Sequence, residues 1–171
     1  MVDAHIQHVF VRELERQAQF GLIAVADLNA ALAACDNDRV WYSIQGLLIA
    51  AGNVSKLLWP GPEYESRGAA LRQLLSVADD SVLAPRTFRN HFEHFDERLD
   101  AWVAGDEAHN FVDSNIGPTG MISGLDSKNF LRNLDTTEMA VTFRGDSYRL
   151  QPITTALQDV CQRASQLGNA R

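Results

Sequence analysis

Two apolar series in the first third of the chain constrain its fold more than any other feature. Val11, Leu14, Ala18, Gly21, Val25, Leu28 and Leu32 recur at spacings of three and four. Val40, Ile44, Leu47, Leu48, Ala51, Val54 and Leu58 do the same. Such spacing puts the apolar residues of each series on one face of an α-helix, the face it lays along another helix. The spacing predicts helices over residues 3–34 and 39–59. Asp36-Asn37-Asp38 supplies the stop and the N-cap between them. Pro60-Gly61-Pro62 ends the second, because proline cannot continue a helix. Gly46 and Gly52 fall inside the second helix and point to close helix contact.

Further elements follow in shorter pieces. Residues 64–77 read as a third helix with Leu71, Leu74 and Leu75 on its apolar face. Pro85 opens a fourth, running to about Val103, since proline is favoured in a first turn. The stretch Asn110–Asp126 is irregular, punctuated by Gly117, Pro118, Gly120 and Gly124, and reads as a connection or lid. Between residues 137 and 150 the period changes to two: Met139, Val141 and Phe143, a turn at Arg144-Gly145-Asp146, then Tyr148 and Leu150. That is the pattern of a β-hairpin. A last helix over 152–167 turns Ile153, Ala156, Leu157, Val160 and Ala164 inward. The fold expected is mostly α: an antiparallel bundle of about five helices with a small C-terminal β-hairpin, in one domain of 171 residues.

Composition narrows the setting. Apolar residues make up 46% of the chain, enough to fill a core. The net charge of −7 speaks against binding nucleic acid through a broad basic surface. Cys35 and Cys161 are far apart and belong to no Cys-x-x-Cys, so both are expected reduced and buried. The N-terminal residues lack the basic and apolar pattern of a signal peptide. No apolar run approaches the ~20 residues that span a bilayer. A cytoplasmic protein without membrane contact is expected.

The segment with chemical promise is Pro85–Trp102. Phe88, Phe92, Phe95, Leu99 and Trp102 follow spacings of four and three, which on one continuous helix would gather them within about 40° of a line. Arg89, Glu93, Glu97, Asn90 and His94 would then cover the opposite side, with Arg89 and His94 about 140° apart. Read from periodicity alone, these polar residues make an ordinary solvated face. Glu93 would pair with Arg89, and His94 would lie near Arg98.

The six residues Arg89-Asn90-His91-Phe92-Glu93-His94 also resemble the signature of the HEPN domain family, an Arg followed by a polar residue with a His five positions after the Arg. Arg86 and His91 share that spacing, but Arg86 is followed by Thr87 and His91 would lean toward the core, so Arg89, Asn90 and His94 are the frame adopted. The resemblance covers about residues 5–107. The irregular segment, the hairpin and the last helix, residues 108–171, stand outside it.

The resemblance implies a metal-independent endoribonuclease, of toxin or defence type, working as a homodimer. Cleavage of RNA through its own 2′-hydroxyl needs proton exchange near neutrality, which histidine supplies. It also needs a cation on the crowded phosphate, which arginine supplies with paired hydrogen bonds. His94 would exchange the proton, Arg89 would clamp the phosphate and Asn90 would orient the site. No cofactor and no metal are required. A nucleotidyltransferase-like antitoxin partner and an RNA substrate are the implied partners. The alternative is a noncatalytic HEPN-like dimer that binds a protein or nucleotide partner. Charge favours that alternative: Arg86, Arg89 and Arg98 are outnumbered two to one by Glu93, Asp96, Glu97, Asp100, Asp106 and Glu107.

Weaker signals read as structure. His91 and His94 with Glu93 lack a third metal ligand. Trp41, Tyr42 and Trp59 read as helix-packing residues, and Arg144-Gly145-Asp146 as a turn.

Overall fold

Both long apolar series are helices. The computed structural model describes residues 4–85, 94–105, 110–118, 121–126 and 129–169. Five α-helices are found among them: α1 Ala4–Ala33, α2 Asn37–Leu58, α3 Glu65–Leu74, α4 Phe95–Ala104 and α5 Leu150–Asn169. Four strands make one sheet: β1 Asn115–Ile116, β2 Arg132–Asp135, β3 Ala140–Phe143 and β4 Asp146–Arg149. The chain is therefore mostly helical with a small mixed sheet. It divides into two compact units, Met1–Arg89 with Pro152–Arg171, and Asn90–Gln151. The family resemblance stopped at residue 107, whereas most of α5 belongs to the first unit.

In the first unit α1 and α2 lie antiparallel. Gln17 meets Asn53, Gly21 meets Ala50 and Leu47, Ala24 meets Gly46, and Asp27 meets Arg39. The α2 residues therefore descend as the α1 residues ascend. All seven apolar positions expected on α2 are buried. On α1, Val11, Leu14, Ala18, Gly21 and Leu28 are buried, but Val25 and Leu32 are only half-buried, and Ala24 and Ala31 are buried instead. The cause is visible at Ala24, whose Cβ lies 3.5 Å from the place a Cβ on Gly46 would occupy. Two backbones that come this close favour the smaller residue at the contact. A Cβ on Gly21 would stand 2.6 Å from Leu157 Cδ1, so the last helix packs where α1 has no side chain.

The α1–α2 turn is short because Asp36 has two roles. Its N–H bonds back to Ala31 O at 3.0 Å while Cys35 N bonds to Leu32 O at 3.2 Å, which closes α1 in a Schellman motif. Its carboxylate then accepts from Arg39 N at 3.1 Å and caps α2. Cys35 occupies the left-handed position of the motif at φ 54° and is exposed, not buried as expected. That place is set by backbone geometry, and a side chain there points away from both helices.

The remaining helices of this unit are held by arginines that donate to carbonyls at helix ends. Arg72 donates to Leu58 O, to Glu65 at 3.0 Å and to Asp79 at 2.7 Å, tying α3 to the end of α2. Arg163 of α5 donates to Leu75 O at 2.9 Å. On α5, Ile153, Leu157, Val160 and Ala164 are buried as expected, with Ala156 half-buried. Leu74, expected inside, is 41% exposed, and Tyr42, expected to pack, is 74% exposed.

In the second unit the expected hairpin is one part of a larger sheet. β3 and β4 are joined by Arg144 and Gly145 alone, at φ 47° and 90°, the turn whose twist matches paired strands. β2 adds antiparallel to β3, and β1 adds parallel to β2. A parallel pair needs a long crossover. The glycine-punctuated segment is that crossover, and β1 lies within the stretch read as irregular. No helix among the described residues is long and apolar enough to cross a membrane.

Cys35→Gly should stabilise the protein by about 1 kcal/mol, because glycine takes the left-handed conformation without a Cβ penalty. Leu47→Ala at the α1–α2 seam should cost about 2–5 kcal/mol. Both are read from urea unfolding midpoints. A destabilised Cys35→Gly would contradict the turn geometry.

Candidate functional site

Residues 86–93, Arg89 and Asn90 among them, lie outside the described residues. His94 is described. Its φ −118° and ψ 42° are not helical, and it stands as the N-cap of α4. One helix running on from Pro85 is expected; its part before His94 lies outside the described residues, and α4 starts after His94. A reason lies in the sequence, where Asp96 and Glu97 fall in the first turn of α4, at the end a helix dipole makes positive.

At this cap the imidazole is exposed. His94 Nδ1 lies 3.3 Å from Glu97 Oε1, three residues along, and the Arg98 N–H donates to His94 O at 3.1 Å one turn further. A carboxylate only accepts, so the contact is a hydrogen bond in the tautomer that carries its hydrogen on Nδ1 and leaves the lone pair on Nε2. An exposed pair of this kind adds little to stability. Asp96, Glu97 and Asp100 are all exposed on this helix.

The rest of the unit holds α4 in place. Trp102 is buried with Leu131 and Phe143, and its indole N–H donates to Asn129 O at 3.1 Å. Phe95 meets Phe143 edge to face at 6.4 Å between ring centres. Arg144 of the hairpin turn donates to Arg98 O at 3.3 Å. Leu99, expected on the same inward line, is 36% exposed, because the sheet meets α4 along Phe95 and Trp102.

One polar pair here escaped the sequence reading. Arg132 forks onto Asp113, with Nε 2.8 Å from Oδ1 and Nη2 on Oδ2, and its guanidinium lies 5.6 Å from the centre of the Phe95 ring. Burial alone would raise the Asp113 pKa. The hydrogen bonds and charge of Arg132, with bonds from Ser114, outweigh it and hold the carboxyl below its usual range. The pair forms only because β1 runs parallel to β2, and no periodicity announces that register. No cluster of three potential metal ligands occurs among the described residues. No known protein family, curated protein or solved structure matches this chain.

A carboxyl with a depressed folded-state pKa adds stability that is present above its unfolded value, about 4. That stability is lost as the pH falls further. Asp113→Asn should therefore lower stability at pH 7, by no more than about 1 kcal/mol because the pair is partly open to solvent, and flatten the loss of stability as the pH falls below about 4. Urea unfolding followed across that range checks both.

Proposed function

We propose that the chain is a HEPN-like, metal-independent endoribonuclease of toxin or defence type, working in the cytoplasm as a homodimer of antiparallel helical bundles. The observation that carries the reading is the Arg89-Asn90-x-x-x-His94 spacing, with His94 held at a helix cap where its imidazole is open to solvent. The Glu97 contact favours the tautomer in which Nε2 can take a proton.

In the reaction, His94 Nε2 accepts the proton of a ribose 2′-hydroxyl. The 2′-oxygen attacks the adjacent phosphorus, and the 5′-oxygen leaves with a proton given by the imidazole of the second copy. The products carry a 2′,3′-cyclic phosphate and a 5′-hydroxyl. Arg89 neutralises the phosphate oxygens, and Asn90 orients the nucleotide. The two copies are needed because one helix end supplies one imidazole, and a closed two-fold pair doubles it.

A second reading is favoured by one observation. The exposed Asp96, Glu97 and Asp100 follow His94 in sequence and repel a polyanion. In that reading the chain is a noncatalytic HEPN-like dimer that binds a protein or nucleotide partner, a nucleotidyltransferase-like antitoxin among the candidates.

Purified protein incubated with RNA, with and without chelator, tests the proposal. Cleavage should survive chelator, leave cyclic phosphate ends and fall at least ~100-fold in His94→Ala. Cleavage that needs metal, or that persists in His94→Ala, refutes it. A wild-type chain that leaves RNA intact moves the conclusion to the noncatalytic module.

A further inference from the structure

One side of the α1–α2 pair is a groove of about 430 Å³. Its floor is made of small residues, Ala24, Gly46 and Ala50. Around it stand Phe20, Ile23, Tyr42 and Ile49, which are 51%, 52%, 74% and 42% exposed. Single exposed apolar residues are ordinary, but four around one groove mark a contact surface. The face carries both protruding side chains and a hollow. That makes it complementary to itself, as a two-fold contact requires.

Charge selects how a second copy would lie on it. Helical spacing continues the face beyond the groove at both ends. At the end where α1 finishes and α2 begins stand Asp27 and Asp38 with Arg39, which pairs with Asp27 at 3.9 Å, a net charge of −1. At the other stand Arg16 and Lys56 with Glu13, which pairs with Arg16 at 3.2 Å, a net charge of +1. A two-fold axis parallel to the helices would set each end on its own kind. An axis crossing the helices at right angles lays α1 antiparallel on its copy, with Asp27 opposite Arg16, and α2 on its copy, with Asp38 opposite Lys56. Reversal about the groove's middle puts each of these pairs within about one helical turn of level.

The area suffices. A helix of 22 residues is about 33 Å long, and two helices side by side are about 20 Å across. Each copy then offers roughly 600–700 Å², close to the ~800 Å² per partner of a standard stable interface.

We infer that this groove is the contact between two copies of the chain, paired about a two-fold axis that crosses α1 and α2, with Phe20, Ile23, Tyr42 and Ile49 of each copy packed against those of the other. The inference rests on the first unit alone: a dimer that leaves RNA intact keeps it, whereas a monomer removes both it and the two-copy mechanism proposed above.

Sedimentation equilibrium of the full chain tests it, from roughly 0.1 to 100 µM, a range that brackets standard-size interfaces. The wild type should weigh twice the 19.0 kDa of one chain. Ile23→Asp and Tyr42→Glu, each counted twice in a two-fold pair, should raise the dissociation constant at least ~100-fold. Their far-UV circular dichroism should be unchanged, because both side chains are exposed in the single chain. Asp27→Arg and Arg16→Asp should each weaken the dimer about 10-fold, and the two together should restore it to within about 3-fold. A wild type that stays monomeric overturns the inference, as does a dimer indifferent to Ile23→Asp and Tyr42→Glu. Failure of the double reversal to restore association overturns the assigned axis.

Discussion

The packing of α1 against α2 is the interaction on which the first unit depends. Leu14, Leu28, Ile44, Leu47, Leu48 and Leu58 are its largest buried side chains, each almost fully removed from water. Burying one such side chain contributes about 1.5–3 kcal/mol. Isolated helices gain little from propensity alone and depend on a partner face. The short turn through Asp36 brings that face into register, since one residue closes the first helix and caps the second. The last helix completes the arrangement where Gly21 leaves room for Leu157.

The second unit is built on different terms. Its core is small, with Trp102, Leu131 and Phe143 at the centre, and its strands are only two to four residues long. Polar contacts add to that core. Trp102 reaches Asn129, Arg132 forks onto Asp113, and Asp135 accepts from the N–H groups of Thr137 and Glu138 at 2.8 and 3.0 Å to fix the β2–β3 turn. These contacts orient α4 and thereby its cap, His94. A histidine at a cap is held by the start of a helix, so its ring is presented by backbone geometry as well as by its neighbours.

The long helices were legible because burial along them repeats. The seven α2 positions are all buried, and the α5 face differs only at Ala156. What failed was local. Periodicity does not show where two backbones approach, so Ala24 and Ala31 were passed over for Val25 and Leu32. It does not show a left-handed cap, so Cys35 was placed inside. Tyr42, from its residue type, and Leu74, from its place beside Leu71 and Leu75, are expected inside, yet both side chains are exposed. The sheet was half legible. The Arg144-Gly145 turn has a local signal, whereas β1 is two residues long and pairs across a crossover that carries none. At the candidate site the motif is legible as spacing, but His94 itself is not helical and caps the helix that follows it.

The central structural claim is that the first two helices and the last one form a single cooperative unit, with the sheet-bearing segment inserted between them. Amide hydrogen exchange followed under rising denaturant measures this directly. Leu47 and Leu157, more than a hundred residues apart, should open with one free energy and one denaturant dependence, while Leu134 and Val141 share another. Should Leu157 instead exchange in step with the sheet amides, the last helix would belong to the inserted segment, and the arrangement described here would be wrong.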